Sequence, residues 1–191
     1  MRRAAPFVLL LCAACSRAPD AKSHERSEAV AASAHAEAAK KSLFERDTLE
    51  RAIGDILARL SSSAGILSIE LLPERARFVV QSDTPDAGLV EYEWQAGELR
   101  GPTRLEIRGK GTLQQNLFLA SSLDFASLPA LLDLSRARVD AENGSVSRVL
   151  IRRNLPIDDS VGMRVYVDSP IRSSHVDADA HGRPVEPGKY P

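Results

Sequence analysis

Cysteine is almost missing from this sequence. Of its 191 residues only Cys12 and Cys15 are cysteines, both within the first 15, so the remaining 176 can form no disulfide and offer no thiol nucleophile. Aromatic residues are few, at 5%, which leaves Leu, Val, Ile and Ala to build a core. Neither sign of charge prevails. The net charge is −1, and −3 once Arg2 and Arg3 leave with the first 14 residues, 23 basic against 26 acidic. That balance gives no electrostatic basis for binding nucleic acid or an anionic membrane surface. The apolar stretch at the N-terminus, Ala4 to Cys15, is 12 residues long, well short of the ~20 that a spanning helix requires. What remains, 43% apolar and 27% charged, is ordinary for a soluble globular protein of one domain or two small ones.

The N-terminal stretch has the layout of an export signal. Arg2 and Arg3 precede the apolar residues Phe7 to Leu11, and small residues Ala13 and Ala14 lead to Cys15. Over residues 1–15 the chain resembles the signal of bacterial lipoproteins, whose lipobox has the form Leu-small-small-Cys. Cys12 stands where that family has Leu. Cys12 itself does not fit the lipidated position, because Leu11 would then fill the small-residue site before the cut. The resemblance implies a signal peptide over 1–14, diacylglycerol on the Cys15 thiol and an acyl chain on its amino group. Ser16 follows, not the Asp associated with inner-membrane retention, so the expected address is the outer membrane, facing the periplasm. The alternative is an ordinary secretory signal cleaved near Ala14. Residues 15–41 then form a lipidated tether, rich in Ala, Glu, Lys, Ser and Arg, disordered or transiently helical, with too little apolar surface to pack. His24 and His35 fall in it and read as solvated.

From residue 42 to 191 the pattern is globular. Ser42 and Glu45 fit a capping box, and Leu49, Ile53, Ile56, Leu57 and Leu60 recur at helical spacing. Period-two alternation follows: Leu67, Ile69 and Leu71; Phe78 and Val80; Val90, Tyr92 and Trp94, ended by a turn at Ala96 and Gly97; then Leu105 and Ile107, and Leu117 and Leu119. A second helix is expected from Asp124 or Ser127 to Leu134, with Pro129 in its first turn. Arg138 to Ile151 reads as a hairpin turning at Asn143 and Gly144. Val161, Met163, Val165 and Val167 alternate, and a last hairpin joins 173–177 to 183–185 through Ala180, His181 and Gly182.

Helix followed by antiparallel strands thus occurs twice, over 43–119 and 124–186. The expected class is α+β: antiparallel sheet, one or two, packed by two helices. In outline this is similar to small envelope domains of the PepSY or lactamase-inhibitor-protein kind, an analogy of architecture that transfers no function. A single long curved sheet carrying both helices, similar to outer-membrane lipoprotein carriers, is the alternative.

Chemistry is sparse. The chain has no Gly-x-Ser-x-Gly elbow, and the histidines outside the tether, His175 and His181, have only Ser173 and Ser174 as neighbouring hydroxyls. Arg108 to Thr112 has neither the glycine spacing nor the following helix of a phosphate loop. Asp177, Asp179, His181 and Gly182 match half a calcium loop, but Gly188 stands at the twelfth position, where a Glu is required. Arg136, Arg138, Arg148, Arg152, Arg153, Arg164, Arg172 and Arg183 enrich the second half, where residues 124–191 hold ten carboxylates for nine Lys and Arg. They read either as an anion-binding face or as cross-strand ion pairs. Glu91 and Glu93 share a face as solubilising residues. No catalytic residue, metal ligand or cofactor is expected. The expected function is that of a non-catalytic envelope lipoprotein binding a protein, glycan or lipid partner and no nucleic acid, with a carrier of acyl chains in a concave sheet, its pocket lined by Val90, Tyr92 and Trp94, as the alternative.

Overall fold

A computed structural model describes residues 41–84, 88–106 and 112–185. Cys15, His24, His35, Ile107 and Arg108 to Gly111 lie outside them. Helix α1 (Arg46–Leu57) forms where Leu49, Ala52, Ile53 and Ile56 line up as one buried stripe. Its start departs from the capping box. The Ser42 hydroxyl accepts the amide of Phe44 at 3.2 Å, and Glu45 takes the N-cap position without a side-chain bond.

Strands β1 (Gly65–Leu72), β2 (Arg75–Gln81), β3 (Leu89–Gln95) and β4 (Glu98–Leu105) form an antiparallel meander. Ala96 and Gly97 both have positive φ, 52° and 85°, as a primed two-residue hairpin turn demands. In β1 a bulge between Ile66 and Ser68 resets the alternation: Ile66, Ile69 and Leu71 are buried and Leu67 is not. A short helix α2 (Leu113–Asn116) leads to β5 (Phe118–Leu119), which pairs with the start of β1. Phe118 lies opposite the core residue Ile66 and is buried, whereas Leu119 is 44% exposed. The expected inward pair, Leu117 and Leu119, is therefore out of register by one residue.

Helix α3 (Leu128–Asp140) begins after an Asp124 carboxylate that accepts the Ala126 amide, with Pro129 in the first turn. It runs past Leu134 and overturns the hairpin expected at Asn143 and Gly144. Arg138, Val139 and Asp140 are its last turn, not a strand. The Gly144 amide donates to the Asp140 carbonyl at 2.9 Å, and a Cβ on Gly144 would sit 2.4 Å from that oxygen, so the close approach requires glycine. Strands β6 (Ser145–Arg153), β7 (Val161–Asp168) and β8 (Ser173–Asp179) complete the order. After β8 the chain folds back as expected: the Val185 amide donates to the Asp177 carbonyl and the Asp179 amide to that of Arg183, both at 2.9 Å.

All eight strands belong to one antiparallel sheet, in the order β4-β3-β2-β1-β6-β7-β8 with β5 beside β1. The joint is β1 against β6, where Ile69 faces Ile151 and Leu71 faces Val149. The two helix-plus-strand halves therefore share one sheet. The molecule is α+β, an antiparallel sheet packed by helices: α1 lies on β2, β3 and β4, and α3 on β6, β7 and β8. Fully buried Leu49, Ile56, Phe78, Ile69, Ile151 and Met163 form the shared core, each worth roughly 1.5–3 kcal/mol of burial. No described helix is long and apolar enough to cross a membrane.

Candidate functional site

The helices cover one face of the sheet, and the other carries the alternate, mostly polar side chains. Directly paired residues share a face with Cβ atoms about 4.5–5.5 Å apart, so the register can be followed from strand to strand. Arg100 on β4 pairs with Glu93, Glu93 with Arg77, Arg77 with Glu70, Glu70 with Leu150, Leu150 with Arg164, and Arg164 with Asp177. A single transverse row thus crosses the sheet from β4 to β8. Its charge alternates in sign, with Leu150 as the apolar break.

The two ends of this row differ in character. Around β1–β3, Arg77 lies 3.2 Å from Glu93, 3.4 Å from Glu91 and 3.8 Å from Glu70, and Arg75 reaches Glu93 at 4.0 Å. Arg148 on β6 reaches Glu70 at 2.8 Å, although its Nε–H is not aimed at the oxygen. Such exposed pairs stabilise little individually; they fix a charge pattern. Around β6–β8, Arg164 donates from Nε and Nη2 to the two oxygens of Asp177 at 2.7 and 3.0 Å, and Asp177 is only 3% exposed. That hydrogen bond raises the Arg164 guanidinium above its ordinary value, against the opposing effect of burial. Tyr166 stands between Arg148, 5.7 Å from its ring centre, and the His175 ring at 6.0 Å. Leu150, Arg152, Gly162, Arg164 and Tyr166 border a depression of about 30 Å³, room for a water molecule or two.

The residues singled out in the sequence separate. His175 Nε2 is 3.7 Å from Asp177, and the Ser173 hydroxyl is engaged by Asp168, whose carboxyl it holds below the usual range together with Ser147. His181 is exposed in the final turn. Asp177 faces Arg164 while Asp179 accepts the amides of His181 and Arg183, so the half calcium loop does not converge on a point. Glu91 and Glu93 are paired with Arg77 on the uncovered face. The eight arginines do not form one patch. Arg148, Arg152 and Arg164 lie on the uncovered face. Arg172 bonds the terminal carbonyls of α3 at Val139 and Arg138. Arg153 bonds the carbonyls of Leu117 and Asp159, Arg136 pairs with Asp133 on α3, and Arg138 and Arg183 are exposed. The apolar face with Val90, Tyr92 and Trp94 lies toward α1, where Trp94 donates to Asp55 at 3.0 Å and Arg51 stacks over its ring. Leu150 and Tyr166 were not legible as site residues; only the register places them among the arginines.

No family model, no curated protein and no solved structure matches this chain.

Proposed function

We propose that this chain is a non-catalytic envelope lipoprotein, acylated on Cys15 and held at the outer membrane, whose α+β domain docks a partner on the helix-free face of its sheet. The supporting observation is the asymmetry of the two faces. Helices α1 and α3 cover one, while the other carries a patterned row of charge interrupted by Leu150 and bordered by Tyr166. A scaffold that keeps one sheet face open and ordered by ion pairs is suited to presenting that face. The N-terminal residues supply the address, through the small-small-Cys sequence Ala13, Ala14 and Cys15. The alternative, an acyl-chain carrier, requires the apolar face to open, and the packing of α1 over Trp94 lends it no support.

Two measurements test the proposal. Replacing Cys15→Ser is expected to move the protein from the membrane to the soluble fraction. Persistent membrane attachment of the Ser variant refutes the anchor. A photo-crosslinking residue at Leu150 is expected to capture a partner in cells where the same residue at Ala137, exposed on α3, does not. The reverse pattern refutes the docking face.

A further inference from the structure

We infer that the β6–β8 half of the uncovered face takes an acidic protein surface that places an apolar side chain on Leu150. This rests on the docking-face reading and specifies its partner. On β1–β3, Glu70, Glu91 and Glu93 remain 20–24% exposed beside Arg77, and positive and negative charges answer each other. On β6–β8 the carboxylates beside Arg164 and Gly162 are engaged, and Asp168 alone stays exposed, away from Leu150. Asp177 is buried against Arg164, Asp179 is turned into the amides of His181 and Arg183, and Asp168, at the far end of β7, is engaged by the Ser173 and Ser147 hydroxyls. The guanidiniums stay out. Arg152 is exposed with no ion-pair partner among the described residues, and Arg148 is 42% exposed. Around Leu150 this half therefore presents positive charge, from Arg148 and Arg152, and local pattern is what steers a partner.

Shape and pattern select the class of partner. The depression beside Gly162, about 30 Å³, and the wider hollow of about 340 Å³ bordered by Arg148, Tyr166 and His175 both lie open to solvent, which suits a contact of surface against surface. An anionic bilayer is uniformly negative, and the β1–β3 half, where Glu70, Glu91 and Glu93 answer Arg75 and Arg77, offers it no attraction. A protein surface can be acidic opposite β6–β8 and neutral or basic opposite β1–β3. Leu150, between Glu70 and Arg164 in the row, gives an apolar centre with a charged rim, the anatomy of a protein interface.

The test is an NMR titration of the full chain carrying Cys15→Ser. The probes are a synthetic glutamate-rich peptide with a central leucine, phosphatidylglycerol vesicles, and inorganic phosphate at matched charge. The peptide is expected to shift the amides of residues 148–152 and 162–166, and Arg152→Glu to weaken it about tenfold or more. Arg75→Glu on β2 is expected to change it less than about twofold. Arg152 is exposed and has no ion-pair partner among the described residues, so the variant is expected to keep its thermal midpoint; Arg152→Gln serves if it does not. No shift with the peptide, or an equal Arg152-dependent response to vesicles or phosphate, overturns the inference. A crosslink from Leu150 that forms undiminished in the Arg152→Glu protein removes the acidic partner while leaving the docking face standing.

Discussion

Asp177 illustrates what a single buried charge does in this protein. Its carboxylate is nearly closed to water and accepts both Nε and Nη2 of Arg164. Removing one member strands the other, so Asp177→Ala is expected to destabilise by about 3 kcal/mol in chemical denaturation. Replacing the pair together, Arg164→Met with Asp177→Leu, is expected to recover most of that loss, because no stranded charge remains. Two exposed carboxylates set the acid limb. Asp140 is held below its unfolded value of 3.8 chiefly by the Asn143 amide, and Asp168 chiefly by the Ser173 hydroxyl. A carboxyl lowered in the folded state adds stability that is present above the unfolded value and lost as pH falls through the folded one. The thermal midpoint is therefore expected to fall below about pH 4, and to fall less in Asp168→Asn, as a pH series by calorimetry would show.

At the scale of elements, one of the two turn-like dipeptides does what its sequence signals and the other does not. Asn143 and Gly144 look like a hairpin turn and close a helix, whereas Ala96 and Gly97 form the primed turn. Ser135 hid the true length of α3. It occupies a core position in the stripe of Leu128, Leu131, Leu132 and Val139, and satisfies its hydroxyl on the Leu131 carbonyl at 2.7 Å, so a buried residue reads as polar. The bulge at Leu67 and the two-residue β5 were illegible for a related reason: alternation gives a period, and tertiary pairing gives its phase. Three substitutions follow from these placements. Gly144→Ala is expected to destabilise by about 2 kcal/mol through its clash with the Asp140 carbonyl. Gly54→Ala, in an exposed helical position with nothing within 4 Å of the added Cβ, is expected to stabilise by about 0.5–1 kcal/mol. Ala96→Asn, relieving a positive φ of 52°, is expected to stabilise by about 1 kcal/mol. Denaturation midpoints of the three variants check all of these.

For the whole molecule, the class, both helices and most strands were legible from periodicity, because a covered face and a wet face leave opposite marks on alternate residues. The union of the halves was not. It depends on β1 meeting β6, a pairing such as Glu70 with Leu150 that no local pattern encodes. The same pairing makes the charged row, so the candidate site was legible only as scattered arginines and not as a surface. One shared sheet and core imply one cooperative unfolding transition, with amide exchange in β1 and β6 equally slow; two separated transitions would contradict that. The docking face is the central claim, and its occupancy can be read by hydroxyl-radical footprinting of intact envelopes against purified protein. Leu150 and Tyr166 are expected to oxidise more slowly in the envelope, while Leu134, exposed on α3, oxidises at the same rate in both. Equal rates at Leu150 and Tyr166, with protection at Leu134 instead, would place the partner on the helical layer and contradict the account.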